Sequence, residues 1–195
     1  MNPLTQQHRA QQLLLRRDTV AQVERIWPAL DWARLDASFP AFAAAMAQVV
    51  QRNRQTSTGL AAGYLRTLRR AEGVTGTVKP ALAPPLVVDQ FHTALLVTSV
   101  VAAKGSASRG VDGAVAMGNA LTQTKGSMAR LVLDAGRTTI TDTLQADPAS
   151  RGWRRVLGGG GDCDFCAPRA GVRMTSDVVF EAHDHCGCTA EPIYG

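Results

Sequence analysis

The sequence predicts a mainly α protein: a helical body of long helices over residues 1–157, a glycine hinge at 158–161 and a small β module over 162–195. Three observations carry that prediction. Apolar residues recur at three-and-four spacing through much of the body, the period of one helix face. Aromatic residues make up only 5% of the chain while alanine is abundant, which suits helices packed closely through small side chains. All four cysteines fall within a single 26-residue window, Cys163 to Cys188, directly behind the run Gly158–Gly161.

The elements follow in order. Gln6 to Ile26 reads as a first helix, with Leu13, Leu14, Val20, Val23 and Ile26 forming an irregular apolar stripe, and Pro28 ends it. Ser38 followed by Pro40 is a helix start. From there Phe42, Met46, Val49, Asn53, Leu60, Tyr64 and Leu68 keep helical spacing to Glu72, and Gly73 is placed to stop the run. A break near Thr56–Gly59 is the alternative to one long helix. Gly73 to Pro85 is a connector rich in Gly and Pro. Leu86 to Lys104 fits a buried helix or a buried strand pair, and its length and alanines favour the helix. Gly105–Gly110 is a turn. Asp112 caps a helix through Leu121, and Ser127 caps another that carries Leu131, Leu133, Ile140 and Leu144. A short basic piece, Arg151 to Leu157, leads to the glycines, which lack the Lys-Ser/Thr of a phosphate loop and read as a hinge.

The module carries the densest chemistry. Cys163-Asp-Phe-Cys166 is followed, after sixteen residues, by His183-Asp-His185-Cys186-Gly-Cys188. A Cys-x2-Cys pair with a second ligand group at this separation is zinc-site spacing. Cys186 and Cys188, one residue apart, share a face if extended. Two disulfides and free thiols are the alternatives. The opening residues show no secretory signal, and a reducing compartment keeps thiols reduced. Six candidates compete for the four positions zinc offers, with His185 the readiest to be spare. Gly171–Thr175, Val178–Phe180 and Thr189–Tyr194 are β-prone, with Pro192 best placed at an edge. A unit this small buries too little apolar surface to fold alone, so the module is expected to be zinc-stapled.

Charge divides the chain. Residues 1–160 hold 19 Lys and Arg against 10 Asp and Glu, a balance of +9; residues 161–195 hold 2 against 6, a balance of −4. Together they give the net +5. A basic helical body suits DNA phosphates or an acidic partner, or simply a solvated helix surface. On the second helix, Arg52, Arg54, Arg66, Arg69 and Arg70 are expected on the outer face. No stretch is long and apolar enough to cross a membrane. No Gly-x-Ser-x-Gly elbow occurs, His8 and His92 are isolated, and nothing matches the His-x-Glu of a zinc deaminase. These absences argue against an enzyme.

The ending Cys163-x2-Cys166, His183-Asp-His185-Cys186-Gly-Cys188, Thr189-Ala-Glu-Pro-Ile-Tyr194 resembles the close of the phage Mu F-like minor head proteins, the phage head morphogenesis family. The form here is similar to those of actinobacterial phages. The resemblance covers residues 163–194, and the family positions map onto Cys163, Cys166, His183, Cys186 and Cys188. It implies a structural, non-enzymatic minor head protein that binds zinc and associates with the portal protein and other head proteins during assembly. It further implies residence in the host cytoplasm and then in the virion, with the packaged DNA as a possible contact. Two other classes stay open. One is a zinc-containing DNA-binding protein, supported by the arginines. The other is a His-metal nuclease using His183 or His185 as base and Asp184 as ligand.

Overall fold

The computed structural model describes residues 1–158 and 163–195. Helix α1 runs Pro3–Ile26, α2 Leu35–Ala71, α3 Val88–Leu96, α4 Ala102–Ala107 and α5 Gly113–Ala146. A π-helical turn, Val97–Val101, joins α3 to α4. Three strands follow: β1 Ser150–Val156, β2 Arg173–Met174 and β3 Thr189–Tyr194. The architecture is the mainly α body with a small β unit that the sequence predicts.

Caps set the helix starts. The Asn2 side chain accepts the Leu4 amide at 2.9 Å and opens α1 with Pro3 at its first position. Asp112 accepts the amides of Ala114 and Val115 and opens α5. Helix α2 begins at Leu35, ahead of Ser38, whose hydroxyl instead accepts the Asp31 amide and donates to the Arg34 carbonyl. Pro40 sits inside α2 as its sixth residue, where it withholds the amide that would otherwise pair with the Asp36 carbonyl. The run is unbroken through Thr56–Gly59.

Two helices expected over Asp112–Leu121 and Ser127–Leu144 are a single helix, α5. Ser127 is no cap; it is buried in mid-helix, with Gly126 and Met128 buried beside it. The α1 stripe is also different. Leu14 is exposed, and the buried face is Thr5, His8, Gln12, Thr19 and Val23. These polar groups find partners across the helix pair: Thr5 Oγ1 meets Tyr64 Oη at 2.7 Å, the Ser57 hydroxyl donates to Gln12 Oε1 at 2.9 Å, and Asn53 Nδ2 donates to Thr19 Oγ1 at 3.0 Å. Buried polar groups are tolerated when paired in this way.

Two clusters divide the interior. The first packs Phe39, Phe42, Met46 and Val50 of α2 against Phe91, Leu95, Val100, Met128 and Val132. The second joins Tyr64, Leu65 and Leu68 of α2 and Ile140 and Leu144 of α5 to Trp153, Phe180, Ala190 and three cysteines. The connector after α2 is a pinned strap. Thr143 and Thr139 of α5 accept the amides of Ala81 and Ala83, and Gln51 accepts that of Leu86.

The sheet order is β2-β1-β3, antiparallel throughout. Its centre is β1, the short basic piece that precedes the glycines. Trp153 lies opposite Met174 on one side and Pro192 on the other. Pro192 thus lies on an edge strand, where its missing donor is harmless. A bulge between Ser150 and Trp153 contains Gly152 at φ 105°, where a side chain would strike the Met174 carbonyl. Of the other β-prone runs, only Arg173–Met174 pairs; Val178–Phe180 is loop, with Phe180 turned into the second cluster.

Of the five α2 arginines expected outside, Arg52, Arg66 and Arg70 are exposed. Arg69 is buried against the fully buried Asp147 carboxylate, and its guanidinium also donates to the Thr75 carbonyl. Arg54 donates to the carbonyls of Leu131 and Pro84. Both tie the strap to the helices, Arg69 through Thr75 and Arg54 through Pro84. The hinge expected at 158–161 lies outside the described residues except for Gly158, which packs directly on Gly187. Among the described residues, no helix is long and apolar enough to cross a membrane.

Candidate metal centre

Two turns deliver the donors. Cys163 and Cys166 flank a tight turn in which the Cys163 carbonyl accepts the amides of Cys166 and Ala167 at 2.9 and 2.8 Å. A second turn closes with the Cys186 amide on the His183 carbonyl. His185 between them takes φ 65°, a conformation non-glycine residues seldom adopt. This lifts His185 away from the thiols and sets Cys186 inward.

The turns meet in two overlapping triads, Cys163–Cys166–His183 and Cys166–Cys186–Cys188, with Cys166 in both. Within each triad the donor atoms lie within 4.8 Å of one another. His183 Nε2 is 2.9 Å from Cys163 Sγ and 3.4 Å from Cys166 Sγ. Cys166 Sγ is 3.8 Å from Cys186 Sγ. Thiolates about 2.3 Å from a zinc ion stand about 3.8 Å apart across a tetrahedron, whereas bonded sulfurs lie about 2.0 Å apart. All four cysteines are free. The five positions named from sequence therefore converge, and no disulfide forms among them. The donor set, soft sulfur with one imidazole, fits zinc or another thiophilic ion.

The imidazole is oriented for that role. His183 Nδ1 lies 2.6 Å from the Asp184 carbonyl, which places a proton on Nδ1 and leaves the Nε2 lone pair facing sulfur. Asp184 is fixed in turn, because its carboxylate accepts from Arg130 of α5 at 2.8 Å.

Two buried arginines hold the thiol cluster, and sequence reasoning missed both. Arg137 of α5 donates to the carbonyls of Cys188 at 3.0 Å and Cys186 at 2.8 Å, and pairs with Asp134 at 2.6 Å. Arg155 of β1 donates to the Glu181 carbonyl at 2.6 Å, lies 3.7 Å from Cys166 Sγ and covers the Phe180 ring at 4.0 Å. The only sequence signal was an excess of arginine in segments otherwise apolar or alternating. Sulfur ionisation follows the arrangement. Hydrogen bonding from Cys188 and the Arg137 charge hold the Cys186 thiol down, at about 4; the same hydrogen bond and burial push Cys188 up.

The module docks on α5 through close contacts. The His185 ring lies on Gly126, where a methyl group would overlap it. Leu13 of α1 covers Gly187. Glu191 of β3 accepts from the Asn2 amide at 2.7 Å, Thr5 at 3.0 Å and Arg154 at 2.6 Å, and these hydrogen bonds outweigh burial to hold its carboxyl below the usual range.

The protein is thus a helical bundle carrying a Cys/His centre on its β unit. Residues 2–195 match the VG15 protein family, and the chain belongs to it, a family of phage proteins. No curated protein and no solved structure matches the chain.

Proposed function

We propose that this phage protein is a structural minor head protein that binds one zinc ion, associates with the portal ring during head assembly and stays in the virion. The head assignment is supported by the Mu F-like ending, residues 163–194, in a chain of a phage family. The structural role of the metal is supported by one observation above the others: Cys166, Cys186 and Cys188 are buried between α5 and the sheet. Cys163, Cys166, His183, Cys186 and Cys188 would supply the four ligands, with one of the five left over. A closed site of this kind contributes folding free energy. The nuclease alternative needs a histidine facing solvent and substrate. His183 is taken up by the thiols and the Asp184 carbonyl, which supports a non-enzymatic role; His185 is exposed, and its substitution is therefore part of the test.

The apolar stripe of α2 lies inside the chain, so the portal contact must use other surfaces. The exposed Arg17, Arg25 and Arg52 are available to packaged DNA. Any such binding weakens steeply as salt rises.

Co-expression with the portal protein tests the assignment. The expected result is co-purification at low salt and detection of the chain in purified virions by mass spectrometry. Absence from both overturns the head reading. Plasmid cleavage that is lost in His183→Ala or His185→Ala with zinc retained would overturn the non-enzymatic one.

A further inference from the structure

The end of the bundle where α2 stops carries a cavity of about 420 Å³. One wall is the last turns of α2, with Leu65, Arg66, Arg69 and Arg70; the other is the strap, with Val74, Thr75, Val78 and Pro80. Its floor is apolar, built by the buried Leu65 and the half-buried Val74, Val78 and Pro80. Its rim is basic.

The walls are held in place before anything binds. The Val74 amide donates to the Arg69 carbonyl at 3.1 Å, and the Arg69 guanidinium donates to the Thr75 carbonyl at 2.8 Å. Farther along, Ala81 and Ala83 are tied to α5. A cavity bounded by such a strap loses little entropy on filling. The three arginines differ in what they offer. Arg69 is committed to Asp147. Arg66 and Arg70 are exposed, and among the described residues neither has a carboxylate partner. Two uncompensated cations therefore stand over an apolar recess.

We propose that this cavity is a docking site for an acidic peptide segment of a partner protein. One apolar side chain enters between Leu65, Val74, Val78 and Pro80, and neighbouring carboxylates pair with Arg66 and Arg70. The apolar floor decides between anionic partners. A nucleic-acid backbone presents phosphates and sugars to a protein surface and has nothing to fill such a recess. A peptide supplies both the apolar anchor and the acid, the usual combination of buried anchor and charged rim. Charge on the rim speeds encounter and excludes basic competitors. The proposal goes beyond the head-protein reading and stands whether or not the partner is a portal subunit.

Selection of a random displayed-peptide library on the full-length zinc-loaded protein is the test. The expected winners place Leu, Ile or Phe within a few residues of two or more Asp or Glu. A synthetic peptide of that consensus should bind Arg66→Gln/Arg70→Gln roughly tenfold more weakly, by fluorescence anisotropy. It should also slow amide exchange at residues 73–78 in the unsubstituted protein. Both arginine side chains are exposed, so unchanged circular dichroism of the variant checks that the fold is intact. No enrichment, a consensus without acids, or equal affinity for the variant overturns the proposal. So does a short single-stranded DNA that binds more tightly than the peptide through the same two arginines, which would make the site one for nucleic acid.

Discussion

The two interior clusters solve the same packing problem with different chemistry. The first is a conventional core: Phe39, Phe42, Met46, Val50, Leu95 and Met128 are buried in one apolar cluster. The second holds Trp153 and Phe180 beside two buried arginines, a buried glutamate and the thiols. Apolar burial stabilises the first at roughly 25 cal/mol per Å² without regard to direction. The second depends on partners in fixed places, since an unpaired buried charge costs several kcal/mol. The first cluster should therefore tolerate change gradually, while the second should fail as a unit.

Metal removal should give the largest effect. Cys166 belongs to both triads, so Cys166→Ser is expected to drop bound zinc from about one equivalent to below a tenth, read by elemental analysis. Structural zinc contributes on the order of 10 kcal/mol to modules of this kind, so β1–β3 should lose exchange protection while the first cluster keeps its own. Simultaneous loss of both would show that the two cores are one cooperative unit.

Arg137→Met comes next. It strands two buried carbonyls and Asp134, and should cost about 3–5 kcal/mol in chemical denaturation. Phe42→Ala in the first cluster should cost a similar 3–5 kcal/mol by leaving a cavity. The difference is in the metal. Zinc affinity should fall with the arginine and stay constant with the phenylalanine; equal affinities in the two variants would erase the distinction between the clusters.

Acid should act on the seam between α1 and α2. Burial holds His8, stacked on Tyr64 at 4.5 Å, down at about 4 against the usual 6.5. A folded value below the unfolded one means that the unfolded chain takes the proton first. The stability at issue is present above 6.5 and lost as pH falls from there towards 4, by up to about 3 kcal/mol. Comparing the wild-type protein with His8→Phe across that window isolates the histidine from metal loss. Parallel curves would mean that His8 contributes nothing to the slope.

The smallest effect concerns Gly126. Gly126→Ala should destabilise through overlap with His185. With His185→Ala added, the alanine should stabilise α5 by up to about 1 kcal/mol, its helix-propensity gain. A single variant already more stable than the wild-type protein would mean that the histidine moves aside freely.

Much of this was legible in the chain. Proline, glycine and cap residues placed most helix ends within a few residues, and cysteine clustering located the donors. The failures share a cause. Thr5, His8, Gln12 and Thr19 keep helical spacing but are polar, so a search for apolar periodicity passes over them and fixes on Leu13 and Leu14. Gly126 and Ser127 look like a helix boundary, yet packing uses them as a seat for the module. Arg54, Arg69, Arg137 and Arg155 look solvated because their acceptors are distant in sequence, mostly backbone carbonyls that no motif announces. β1 was hidden by three arginines in seven residues.

Helix α5 touches both clusters, contributing Ala120, Met128 and Val132 to one and Ile140 and Leu144 to the other, with Gly126, Arg130 and Arg137 set under the module between them. That continuity fixes a rule of length. Each residue turns an α-helix by about 100°. One residue inserted between Ala120 and Gly126 would rotate Gly126, Arg130 and Arg137 together by about 100° relative to Ala120 and the first cluster. Within this family the spacing from Ala120 to Leu144 should admit substitution far more readily than insertion or deletion.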